Sequence, residues 1–202
     1  MTRRTALLLT PLLFLPACEP AAEQADAPTT TEQQQPAAPA EGTAEWKLRS
    51  ATSAGPTALT AAAAVMDWPS EPGGEMTELR AGTNGWTCMP DVPSTPGDDP
   101  MCLDGTFLQW AGAWQAQTTP TITGVGLAYM LAGGTDASNT DPYATEPTAG
   151  DDWVRTGPHV MIVVPDPAQL ELLPTDPASG GPFVMWKGTP YAHVMMPVAD
   201  PN

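Results

Sequence analysis

Two nine-residue stretches of this chain repeat one another. His159-Val-Met-Ile-Val-Val-Pro-Asp-Pro167 and His193-Val-Met-Met-Pro-Val-Ala-Asp-Pro201 agree at six of nine positions and begin 34 residues apart. A fainter third copy aligns Gly157-Pro-His-Val-Met-Ile with Gly181-Pro-Phe-Val-Met-Trp. On an extended strand, residues two apart point to one face, so His159 stands beside Met161 and His193 beside Met195. If the two strands are neighbours, about 4.8 Å apart, two imidazoles and two thioethers converge. Imidazole with thioether is a soft donor set suited to Cu(I). Met130, Met185 and Met196 are additional sulfur sources. The competing reading is core packing, since Val and Met are usually buried and a strand histidine can simply bond a backbone carbonyl.

Other constellations point to less. Gly133-Gly-Thr-Asp-Ala-Ser-Asn-Thr-Asp-Pro-Tyr143 is rich in oxygen donors at Asp136, Ser138, Asn139 and Asp141. It lacks the closing Glu and the spacing of an EF-hand, so it reads as a cluster of Asx turns. Trp46, Trp68 and Trp153 are flanked by polar residues and are candidate surface platforms for wall polysaccharide or an envelope protein. For catalysis the inventory is thin. There is no Gly-x-Ser-x-Gly, no His-Glu-x-x-His and no phosphate-cradling Gly loop followed by Lys. A hydrolase using some pair among Glu75, Asp104, Asp151 and Asp152 is the remaining enzymatic alternative, and nothing singles out a pair. No catalytic residue is assigned, and binding is the expected mode of action.

Several elements must position these groups. Asp98-Asp99-Pro100 offers a cap and a Pro start for a helix whose apolar face is Leu103, Phe107, Trp110, Ala111 and Trp114. Ala-rich Thr57 to Met66 suggests a short helix that Trp68-Pro69 ends. Strands are expected at Val125–Leu131, His159–Val164, Pro182–Trp186 and Tyr191–Val198, each bounded by Gly or Pro. Lys187-Gly-Thr-Pro190 reads as a hairpin loop between the last two. The expected fold class is α+β and mostly β: a small antiparallel sheet, one amphipathic helix, long Pro/Gly-rich loops and one disulfide.

Composition sets the outer limits. The chain has 202 residues, with 25 Pro and 18 Gly, too many breakers for a helical bundle. Seven Lys and Arg against 23 acidic residues give a net charge of −16. With no cationic surface from which to release counterions, a nucleic-acid partner is excluded, and electrostatic docking to anionic lipid is disfavoured. Residues 19–45 contain four prolines and no aromatic residue, Leu, Ile, Val or Met. Such a stretch cannot offset its ordering entropy by burial, so it is expected to be a disordered tether. Residues 46–202 hold all seven Trp, all three Tyr and nine of the ten Met, enough for one globular domain.

The first eighteen residues carry an address. Arg3 and Arg4 precede an apolar run from Ala6 to Pro16, too short to span a bilayer. Leu15-Pro16-Ala17-Cys18 closes it and resembles the lipobox of bacterial lipoprotein precursors. The resemblance implies a signal peptide over 1–17, removed before Cys18, and fatty acylation of Cys18 as the membrane anchor. It implies a cell-envelope location, and Glu19 in place of Asp favours the outer membrane, facing the periplasm or the cell surface. Several acyl chains together anchor stably. With Cys18 acylated, Cys88 and Cys102 remain as a pair in an oxidising compartment, where a disulfide persists. The body also resembles uncharacterised exported bacterial proteins. Gly82-Thr-Asn-Gly-Trp-Thr-Cys-Met-Pro-Asp91, Ser138-Asn-Thr-Asp-Pro-Tyr143 and Trp186-Lys-Gly-Thr-Pro-Tyr-Ala-His193 carry that likeness. It implies one domain and no activity.

Overall fold

Thr43 begins the ordered body by accepting the Trp46 amide on its hydroxyl, which caps helix α1 (Ala44–Ser53). The structure, a computed structural model, describes residues 38–71, 74–92 and 94–198. The signal peptide, Cys18 and most of the 18–45 tether lie outside the described residues. The body begins slightly earlier than composition suggests, because α1 takes in Ala44 and Glu45.

After α1 come a single-turn helix α2 (Thr57–Thr60) and strands β1 (Ala64–Asp67), β2 (Thr77–Arg80), β3 (Thr87–Met89) and β4 (Met101–Leu103). Helix α3 (Gly105–Gln115) follows, then β5 (Gly126–Met130), β6 (Gly134–Asp136), β7 (Val154–Thr156) and β8 (His159–Val163). Two short 3₁₀ turns, Pro167–Leu170 and Pro177–Ser179, lead to β9 (Phe183–Met185) and β10 (His193–Pro197). Eight strands form one sheet in the order β2-β1-β3-β4-β5-β8-β10-β9, and β6 pairs with β7 as a separate ribbon. Every neighbour in the large sheet is antiparallel except β1 with β3.

The mostly-β class and the disulfide stand, but the sheet is neither small nor purely antiparallel. Its four late strands fall within the four expected spans, and the hairpin through Lys187–Pro190 joins β9 to β10. The first half differs. Residues 64–66, expected to be helical, form β1 together with Asp67, and residues 101–103, expected in the helix, form β4. The cap of α3 is therefore Asp104, not Asp98 or Asp99. Cys88 and Cys102 face each other across β3 and β4 and are bonded. Their sequence separation is 14, and closing such a loop is worth about 3 kcal/mol in the chain-entropy account.

Alternation along the strands divides the core. On one face, α3 lays Phe107 and Trp110 against Leu103, Ala128, Met161 and Val163. On the other face, α1 covers Val65 and the disulfide. Leu170, at the end of the first 3₁₀ turn, covers Val184 and Val194 there. The N-terminus of α3 is clasped to β5 by one carboxylate. Asp104 accepts the Phe107 amide at 2.7 Å and the Leu127 amide at 2.9 Å, and its own N–H donates to the Leu127 carbonyl. Asp104→Ala strands both amides. It should lower stability by about 2 kcal/mol, read as a shift in the urea midpoint with an unchanged slope.

Candidate functional site

The α3 face of the sheet is a grid of soft side chains. Along β8 the residues turned to this face are His159, Met161 and Val163, all buried. Met130 of β5 is registered directly opposite His159. Met195 of β10 is directly opposite Met161, and Met185 of β9 is directly opposite His193. Directly opposed side chains lie about 5 Å apart at Cβ and diagonal ones about 7 Å, within reach of long side chains. The expected set His159, Met161, His193 and Met195 therefore shares one face and one cavity.

The two histidines do not stand side by side. β8 and β10 run antiparallel, so the repeated motif places its histidines at opposite ends of the Met161–Met195 pair. Each imidazole instead has its own directly opposed methionine, His159 with Met130 and His193 with Met185. The two half-sites are inequivalent. His193 is wedged edge-on against Trp110 and Trp186, with ring centroids 5.3 and 5.0 Å away. His159 is fully buried, and its Nε2 has no hydrogen-bond partner.

Ring tautomers follow from the backbone. His159 Nδ1 lies 2.7 Å from the Gly157 carbonyl and His193 Nδ1 lies 3.0 Å from the Tyr191 carbonyl. A carbonyl can only accept, so each Nδ1 carries the proton and each Nε2 presents a lone pair. A backbone carbonyl on Nδ1 is also the usual way a metal-binding imidazole is oriented. Burial drives both rings toward the neutral form. It pushes His159 below the ordinary imidazole range against the opposing Gly157 bond, and it pushes His193 down to about 4. Charge on His159 would lower His193 further, so the rings are within electrostatic reach of each other.

Between this grid and α3 lies a cavity of about 540 Å³ whose wall is mostly apolar. Three of the indoles lining it have their N–H tied to backbone carbonyls: Trp68 to Pro90, Trp114 to Pro142 and Trp186 to Ser138. Trp186 has φ +56, a left-handed conformation that a bulky residue rarely adopts. It is held there by the Asn139 carbonyl on its N–H and by the Thr189 hydroxyl and amide on its carbonyl. Strain of this kind persists where the surroundings over-determine it, and it clusters at ligand sites.

The cavity is also lined by two carboxylates, Asp99 and Asp136. Burial raises Asp136 to about 6, partly opposed by the Ser138 amide on its carboxylate and reinforced by Asp99. Asp99 is also raised by burial, although the Thr95 hydroxyl donates to it and Thr135 leans toward it. Its Oδ1 is buried without a hydrogen bond of proper geometry. Gly134, two residues before Asp136 on β6, brings this strand up to His159. A Cβ there would touch His159 Cε1 and Met130 Cε, both at 3.1 Å. A side chain there would require Met130 or the imidazole to shift by a few tenths of an ångström.

No protein-family model, curated protein or solved structure matches this chain. Among the described residues no group of three or more His, Cys, Asp or Glu could hold a metal ion, so a metal centre here depends on methionine sulfur.

The remaining candidates separate clearly. Trp46, Trp68 and Trp153 are half-buried, and none is the exposed platform that their polar neighbours suggest. Trp68 instead lines the cavity. Asp104 is the α3 cap, and Glu75, Asp151 and Asp152 are exposed. The Asx-turn reading of the 133–143 loop is right: Asp136 accepts the Ser138 amide and Asp141 the Tyr143 amide. The carboxylates that do meet in a cavity, Asp99 and Asp136, lie 37 positions apart and share no motif.

Proposed function

We propose that this chain is a lipid-anchored protein of the bacterial cell envelope that holds Cu(I) on the α3 face of its sheet. The observation that carries the reading is the His159 Nε2 lone pair, buried and without a partner, with Met130 directly opposite on β5, Met161 two residues along β8 and Met195 diagonally across on β10. An imidazole nitrogen with two or three thioethers is a donor set that favours Cu(I) over harder divalent ions. Neutral imidazole is the ligating form, and burial keeps it neutral. His193 with Met185 forms a second, more confined pair on the same face. The lipobox Leu15-Pro16-Ala17-Cys18 and the Cys88–Cys102 bond support placement in an oxidising compartment, tethered to a membrane through Cys18. The net charge of −16 draws cations and disfavours nucleic acid.

The test is an anaerobic titration of the chain with Cu(I) against a chromogenic chelator. The wild type should withdraw the ion from the chelator. His159→Ala should weaken binding about tenfold, as should the volume-conserving Met130→Leu with Met161→Leu. His193→Ala should weaken it less. If the wild type takes no Cu(I), or if both the His159 and the Met variants compete equally well, the reading fails.

A further inference from the structure

A copper ion with its donors accounts for part of the cavity. The whole space, about 540 Å³, falls in the range of sites for small organic molecules. What remains has three properties that together define a ligand class.

First, the walls are π faces and methyl thioethers. Trp110, Trp186 and Trp114 form a stack, with centroids 6.3 and 5.6 Å apart and interplanar angles of 10° and 22°. Trp114 and Trp186 spend their N–H groups on backbone carbonyls, so they offer the cavity apolar and π surface. Second, the charged groups are all acidic. Asp99 and Asp136 line the cavity, and among the described residues no Lys or Arg does. Third, a polar acceptor atom there lacks a partner: Asp99 is 6% exposed and its Oδ1 accepts no hydrogen bond, while the His159 Nε2 lone pair belongs to the copper reading.

Each property excludes something. An anionic ligand would meet two carboxylates and no counter-charge. A neutral apolar ligand would fill the space but strip water from the carboxylates without replacing it. A hydrophilic cation would pair with the carboxylates and leave the indoles and thioethers wet. An apolar cation satisfies all three, since ammonium groups pair with carboxylates and are attracted to indole faces.

We propose that the cavity takes an apolar organic cation, an alkyl- or arylammonium whose body lies against the indoles and whose head is paired by Asp99 and Asp136. The inference goes beyond the copper reading, because it uses the carboxylates and needs no metal. The held left-handed Trp186 is the fixed wall of this site.

Calorimetric titration of the chelator-treated chain with octylammonium, 1-octanol and octanoate tests it. Octylammonium should bind at least tenfold more tightly than octanol, and octanoate more weakly than either. In Asp136→Asn the preference of octylammonium over octanol should fall below threefold. Octanol should bind there at least as tightly as to the wild type, which shows that the cavity is intact. Equal binding of the amine and the alcohol by the wild type, a preference that survives in Asp136→Asn, or no binding of any of the three overturns the inference. Cu(I) uptake, measured separately, is unaffected by any of these outcomes.

Discussion

Gly126→Val should cost this protein at least about 4 kcal/mol, enough to leave a substantial fraction unfolded at room temperature. Gly126 opens β5 on the α3 face, where the helix comes down onto the sheet. A Cβ there would lie 2.6 Å from the Phe107 amide nitrogen, 2.7 Å from Val163 Cγ2 and 3.0 Å from Phe107 Cα. Two of these three atoms are helix backbone, which cannot rotate away. The conflict is one of space, since Gly126 has no positive φ. Either α3 lifts, breaking the Asp104 bonds to Phe107 and Leu127, or β5 shifts out of register with β8. Gly126→Ala meets the same atoms and should already cost about 2 kcal/mol. Gly105→Ala is the control. It sits at the first position of α3 with nothing within 4 Å of the added carbon, and should be neutral or slightly stabilising. Urea unfolding followed by tryptophan fluorescence compares the three. A Gly126→Ala midpoint equal to wild type would show that the helix is not seated where the structure has it.

This close seating was not legible in the sequence, where Gly105 and Gly112 simply weaken a helical pattern. The late strands were legible because each is an apolar run bounded by Gly or Pro, and the sheet buries one face there and at least part of the other. Strands β1 to β4 are three or four residues long and mix Thr, Arg, Glu and Asp with apolar positions. Neither a period of two nor one of 3.6 can be read over so short a span. Pairing β1 with β3 in parallel also demands a crossover that local pattern does not encode.

The candidate site divides the same way. Two His-x-Met strands were visible as a repeat, and their adjacency follows from strand pairing. Their direction does not: the antiparallel register separates the histidines and gives each a different methionine partner. Met130 and Met185 therefore belong to the site for a reason only register supplies. The carboxylates were hidden for another reason. Asp136 looks like an Asx-turn residue and is one, and the same carboxylate that caps Ser138 also lines the cavity. Asp99 is drawn in by Thr95, Thr135 and the bond between its own amide and Asp91, all local details of a loop.

Replacing Asp136 by Asn should stabilise the protein by about 2 kcal/mol at pH 7.5 and by almost nothing near pH 4. Burial raises the Asp136 carboxyl from 3.8 to about 6, so between those values the folded chain binds more protons than the unfolded one. Stability contributed by this group is thus greatest below pH 4 and is lost as pH rises to about 6. A rise of that size corresponds to at most about 3 kcal/mol, and the partial exposure of the side chain trims that. Asparagine keeps an oxygen for the Ser138 amide and carries no charge to desolvate. His159 and His193 work in the opposite direction: burial lowers both, so their stability is present above about pH 6.5 and is lost as the pH falls. That loss is common to both proteins and cancels in the difference. Paired thermal melts across pH 4 to 8 would read the effect, and a constant gap between the two proteins over that range would refute it. This carboxylate faces a cavity that, among the described residues, no Lys or Arg lines. At pH 7.5 octylammonium should therefore raise the melting temperature of the wild type more than that of Asp136→Asn, because the variant keeps only Asp99 to pair with the ammonium while the wild type has both carboxylates.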